Sequence, residues 1–307
     1  MLHLPSPLRQ LLAPLLPALL LSPLAGPPVL AESALVQCRA LRQRGDLTAL
    51  RERQARLQAG LAAQPDQALA TAEALLACGA SQAALALLER VGPVGDDARE
   101  RWLLLQWRAA HGGLHHARAV DALALLADGD LSRLETMQLP VAEPDRADRP
   151  PRQRVALDLL ADHLVSLEAH RQAAEVLLAS REPGAATAAR WGRAVLLAPH
   201  LPPQQRDALM ERALEQAAAA EAWGLVAALL DQQLAEGVGD EASRRALERR
   251  LRLSERMDDA YGEWLQRRRL GDPSQDTRVL LLEEQLRSPH QDGGHAAPLQ
   301  PNLFPQP

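Results

Sequence analysis

The sequence predicts an all-α protein built of short antiparallel helical hairpins. Three observations lead there. The 307-residue chain has no Ile, no Lys, one Phe (Phe304) and one Tyr (Tyr261), so residues suited to a pleated sheet are scarce. Ala, Leu, Arg, Gln and Glu, all strong helix formers, fill the space. Apolar residues recur at helical spacing in runs of about 12 to 16 residues, each closed by Gly, Pro or Asp. The length suffices for one large core or two modest ones.

Residues 1–31 read as a secretory signal peptide. His3 and Arg9 mark the n-region, residues 11–25 the apolar run, and Val29-Leu30-Ala31 a cleavage site before Glu32. Pro14 and Pro17 interrupt the run, which is short of the roughly 20 apolar residues a membrane span needs. The alternative is an uncleaved N-terminal anchor that leaves the same domain on the same side of the membrane. Leu35, Val36 and Gln37 before Cys38 are too large for a lipidation site. No later segment is long and apolar enough to span a bilayer, so the processed chain is expected to be soluble.

Helices are then expected over residues 33–44, stopped by Gly45; 47–58, capped by Asp46; 66–77; 81–90; a run capped by Asp96 that carries Trp102 and Trp107; 115–127; and 131–138. Residues 139–151 break the pattern with Pro140, Pro144, Pro150 and Pro151 and alternating charge, which predicts a linker. Beyond it helices are expected over 153–166, 170–180, 185–198, 203–219, 221–235, 240–253, 256–270 and 273–287. The Gly-, Pro- and Gln-rich residues 288–307 have little to bury and are expected to be disordered. The organisation that follows is a signal at 1–31, a first array at 32–138, a linker at 139–152, a second array at 153–287 and a tail.

One hairpin is written twice, over residues 65–90 and 155–180. In the first copy Ala72 and Ala84 are a small pair, Gly79 a turn and Leu88 a large residue one turn on. In the second, Ala161 and Ala173 are the small pair, Leu157, Leu160 and Leu164 the apolar positions of the first helix, and Leu177 the later one. Small residues at the helix crossing and a large one beyond resemble the tetratricopeptide repeat. Glu168 stands where that family commonly has a turn Gly. Leu247, Leu251, Ala260 and Trp264 keep only the apolar spacing, with Glu248 at a small-residue position. The resemblance implies an α-solenoid whose first helices line a groove for a protein or peptide, with Asp158 and Asp162 facing that groove. As an i, i+4 like-charge pair these two cost a helix a few tenths of a kcal/mol unless a cation answers them. They read either as a contact for a basic partner segment or as solvated carboxylates helped by Arg154, and we adopt the second reading.

Little in the sequence points to chemistry. The net charge of −5 and the absence of a clustered basic face argue against nucleic acid. His111, His115 and His116 form the densest His cluster, but adjacent helical residues point about 100° apart and do not converge on a metal. Glu211, Glu215 and Glu221 lie in an Ala-rich helix that offers no evident apolar pocket for a general acid. No cofactor motif is present. The tryptophans read as fillers between hairpins, Trp191 and Trp264 above all. Cys38 and Cys78, each on an early helix, are a candidate disulfide, with two small buried hydrophobes as the alternative. The function expected is an exported, non-catalytic protein-binding scaffold or assembly factor in a bacterial periplasm or equivalent lumen. The alternative of another class is a cell-wall-active enzyme or its helical accessory subunit.

Overall fold

The helices that the apolar spacing predicts are present, and consecutive ones pack against each other. A computed structural model describes residues 28–60, 64–92, 95–142, 151–236, 241–270, 276–287, 290–291 and 295–296. Among these the first half contains α1 (Pro28–Arg44), α2 (Leu47–Ala59), α3 (Pro65–Ala77), α4 (Ser81–Val91), α5 (Asp96–Gly112), α6 (His116–Ala127) and α7 (Ser132–Thr136). The second half contains α8 (Ala156–Ser166), α9 (His170–Leu178), α10 (Ala185–Leu197), α11 (Pro203–Ala219), α12 (Trp223–Glu236), α13 (Glu241–Arg256), α14 (Ala260–Leu270) and α15 (Thr277–Arg287). Most of the signal-like segment lies outside the described residues, and its expected cleavage point after Ala31 falls within α1. Among the described residues no helix is long and apolar enough to cross a membrane.

Six reversals use one backbone device. Gly45, Gly79, Leu114, Glu168, Glu221 and Asp258 all have φ between 53° and 77°. In each turn the next residue's N–H reaches back to a carbonyl five positions earlier, from Asp46 to Leu41, Ala80 to Leu75, His115 to Ala110, Ala169 to Leu164, Ala222 to Ala217 and Asp259 to Ser254, at 2.8–3.1 Å. These bonds satisfy carbonyls that a helix end leaves open. The first three turns recur 34 and 35 residues apart. Glu168, which departs from the turn glycine in sequence, therefore keeps the turn in structure. The left-handed conformation costs an L-residue about 1–2 kcal/mol, partly offset by the greater freedom Gly adds to the unfolded chain. Leu114→Gly and Glu168→Gly, both at exposed positions, are each expected to stabilise the protein by about 0.5–1 kcal/mol in urea titration. Unchanged or lowered midpoints would contradict this account of the turns.

The Pro-rich segment is not a bare linker. Its flanks form β1 (Gln138–Ala142) and β2 (Arg152–Val155), an antiparallel pair with Leu139 opposite Arg154 and Pro140 opposite Gln153. Residues 143–150 lie outside the described ones. Leu139 is buried and Val141 and Val155 pack on the core, which draws both flanks onto the helices. Pro140 is tolerated because both strands of a two-stranded ribbon are edges, and the register shifts just after it. The helix expected from Gln153 accordingly starts at Ala156, whose N–H extends the ladder to the Met137 carbonyl at 2.8 Å. One apolar core runs from Ala68 to Ala198 across this break, and the next, from Ala188 to Leu253, begins on α10. The first core thus spans the Pro-rich segment without a break.

Three smaller expectations change. Helix α13 continues through Arg256, and the break falls at Met257, Asp258 and Asp259. In the expected tail His290–Gln291 pairs with His295–Ala296, and the remainder lies outside the described residues. Trp102 and Trp107, at 7% and 1% exposure, are more buried than Trp191 and Trp264, each of which carries an arginine over its ring. Two tryptophans about 140° apart on a helix both find cover because α5 is packed by α3, α4 and α6.

Candidate functional site

Helix α8 brings together the carboxylates singled out in the sequence. Leu157, Leu160, Ala161 and Leu164 bury one face, which leaves Asp158 and Asp162 part-exposed on the other. Neither is left to solvent. Arg190 on α10 grips Asp158 through two nitrogens, Nε to Oδ1 at 2.8 Å and Nη2 to Oδ2 at 3.2 Å. Asp162 meets Arg193 at 2.6 Å and Arg154 at 2.7 Å. The like-charge pair on α8 is therefore answered by an arginine pair at i, i+3 on α10 and by Arg154 of β2. Arg154 plays the part expected of it. The α10 arginines were not legible, because they approach only once α8 and α10 are side by side.

Arg190 reaches further inward. Its Nη1 donates to Glu135 Oε1 at 3.0 Å and to Ser180 Oγ at 3.0 Å. Glu135 is almost wholly buried; its carboxylate also accepts the Arg181 N–H at 2.9 Å, the Glu182 N–H at 3.3 Å and the Ser180 hydroxyl. Burial alone would raise this carboxyl. The Arg181 N–H, the Ser180 hydroxyl, the Glu182 N–H and the Arg190 guanidinium together outweigh it and hold the group below the usual glutamate range. One carboxylate of α7 thereby fixes the α9–α10 turn and the arginine that answers Asp158.

Beside Asp162 three histidines from separate helices meet. His163 Nε2 lies 3.3 Å from His111 Nδ1, and His163 Nδ1 lies 2.9 Å from His116 Nδ1. Trp107 stacks on His111 with ring centroids 5.3 Å apart. The sequence grouped His111 and His116 with His115, which instead faces Gln82 Oε1 at 2.6 Å. His163 was missed because it is distant in sequence; the available signal was a histidine next to an acid on an otherwise apolar helix. The relay uses opposite ring nitrogens of His163, so the rings share no common point, and among the described residues no group of three or more ligands is placed to hold a metal.

Burial, then the neighbouring His111 and His116, hold His163 down at about 4 against Asp162, which acts the other way. Burial and then Arg154 likewise lower His111. A cationic His163 could still donate to both neighbours, so its cost is a buried charge and not a lost hydrogen bond. The unfolded histidine takes up its proton first as pH falls. Stability from His163 is thus complete above 6.5, is lost between 6.5 and about 4, and changes no further below. The loss across that window is expected to be about 3 kcal/mol. His163→Gln should flatten this part of the urea midpoint–pH profile, and parallel profiles for the two proteins would contradict the assignment.

Cys38 and Cys78 are joined by a disulfide, fully buried, with Cα atoms 4.7 Å apart. The bond ties α1 to the end of α3, and Gln54 Nε2 on α2 donates to the Cys78 carbonyl at 2.7 Å. Glu211 and Glu215 do border a cleft with an apolar floor, contrary to the expectation from sequence. Glu211, however, is tied to Arg249 at 2.6 Å and Glu215 is exposed, so neither has the dry, apolar surroundings a glycosidic general acid requires. Comparison of the chain with protein families, with curated proteins and with solved structures finds no match in any of the three.

Proposed function

We propose that the protein is an exported, non-catalytic scaffold or assembly factor that binds a protein or peptide partner through a tetratricopeptide-like helical surface. The observation that carries this reading is the recurrence of one left-handed turn at Gly45, Gly79 and Leu114, 34 and 35 residues apart, between helices that pack in sequence. That period matches the tetratricopeptide unit of about 34 residues. Proteins of stacked helix pairs have extended surfaces that suit the binding of other chains. The carboxylates of Asp158 and Asp162 are answered within the chain, so on this reading they shape the surface and do not themselves recruit a basic segment.

The buried disulfide favours an oxidising compartment, as does the signal-like segment. The periplasm of a bacterium, or an equivalent lumen, fits both. Contact with the membrane would run only through the N-terminal segment where it is retained. Affinity capture with the processed chain, alongside a cell-wall degradation assay, tests the role. A stoichiometric partner and no wall cleavage are expected. Wall cleavage without a stoichiometric partner would overturn the reading in favour of an enzyme.

A further inference from the structure

The cleft beside α12 has unequal rims. It has a volume of about 550 Å3 and is flanked by the C-terminal halves of α11 and α13. Its floor is apolar, with Leu214, Val226 and Leu230, and Trp223 stands 36% exposed at one end. On α13, Arg244, Arg245, Arg249 and Arg250 each pair with a carboxylate of this chain. Arg252 and Arg256 do not: among the described residues no ion pair reaches either, and Arg256 only lies over the Trp223 ring at 5.5 Å. Both are exposed and both line the cleft. On the opposite rim Glu211 is used by Arg249, which leaves Glu215. The balance of unanswered charge is basic and lies along α13.

We propose that this cleft docks an acidic amphipathic helix of a partner protein. The inference rests on the binding role above and names the surface and the partner chemistry. The lining residues extend from Glu211 to Ala218 on α11 and from Arg249 to Arg256 on α13, a length of about 10 Å, or two turns of a docked helix. An apolar stripe at i, i+3, i+4 and i+7 fills the floor against Leu214, Val226 and Trp223, as helix-in-groove recognition requires. Carboxylates along one edge meet Arg252 and Arg256, whose guanidinium groups suit carboxylate recognition. A basic edge would meet the same two arginines and be repelled.

The probes are two synthetic helices of about 14 residues that share one Leu stripe, one edged with Glu and the other with Lys, titrated calorimetrically into the processed full chain. The Glu-edged peptide is expected to bind at least about tenfold more tightly. In Arg252→Glu/Arg256→Glu, with its helical circular dichroism checked, the order is expected to reverse. Equal affinities, no binding by either peptide, or a preference unchanged in the double variant would overturn the proposal. Failure here is distinct from failure of the binding role, because a partner captured by the processed chain that binds the double variant equally well would keep the role and remove this surface.

Discussion

Glu135→Ala is expected to lower the free energy of unfolding by about 3–5 kcal/mol, the effect of taking one carboxylate away from several donors at once. The mechanism is local and countable. The Arg181 and Glu182 N–H groups, the Ser180 hydroxyl and one arm of Arg190 each lose an acceptor, and Ser180 and Arg190 are themselves almost wholly buried. Arg190 keeps its two bonds to Asp158, so its charge stays answered and the cost is that of the donors left without Glu135. Because α7 precedes the Pro-rich segment and the α9–α10 turn follows it, the loss also loosens the join across that segment. Asp162→Ala, at a part-exposed carboxylate, is the comparison and is expected to cost no more than about 1 kcal/mol. Urea titration of the two variants checks this. A Glu135→Ala protein within about 1 kcal/mol of the parent would mean that the join is held by apolar packing alone.

Loss of the disulfide is expected to cost about 3–4 kcal/mol, from the entropy of closing a loop across a sequence separation of 40. Cys38→Ala/Cys78→Ala removes the bond without adding a buried hydroxyl. Leu50 and Ala77 are the other buried members of this small cluster, with Leu35, Leu41 and Leu57 packed against it, so the bond sits in the smallest of the apolar clusters described. Hydrogen exchange should therefore rise first in α1 and α2, while α8 and α10 stay protected. Thermal unfolding with and without reductant, with thiol release verified, measures the total. Coincident curves for oxidised and fully reduced protein would remove the bond from the account of stability.

The helices were legible because each has its own apolar spacing and its own stop. The helix read from Pro203 to about Ala219 starts at Pro203 as expected, since Pro opens it. What failed to show was whatever depends on distant parts of the chain. From sequence, residues 139–142 and 152 read as linker and 138 and 153–155 as helix ends, and only Leu139, Val141 and Val155 reaching the core make them strands. His163 joined His111 and His116 only through the packing of α8 on α6. Arg190 looked like any surface arginine until Glu135 and Asp158 closed on it. Glu168 shows the converse: the residue is wrong for the turn, yet the flanking helices impose it.

The central claim is that an oxidised helical stack acts by holding another protein. Photo-reactive residues placed one at a time on exposed positions along the stack, with crosslinking in intact cells and Cys38 and Cys78 assayed for oxidation in the same samples, test it most directly. The account predicts oxidised cysteines and adducts to one partner of constant mass from a contiguous set of positions. Reduced cysteines together with no adduct from any position would contradict it.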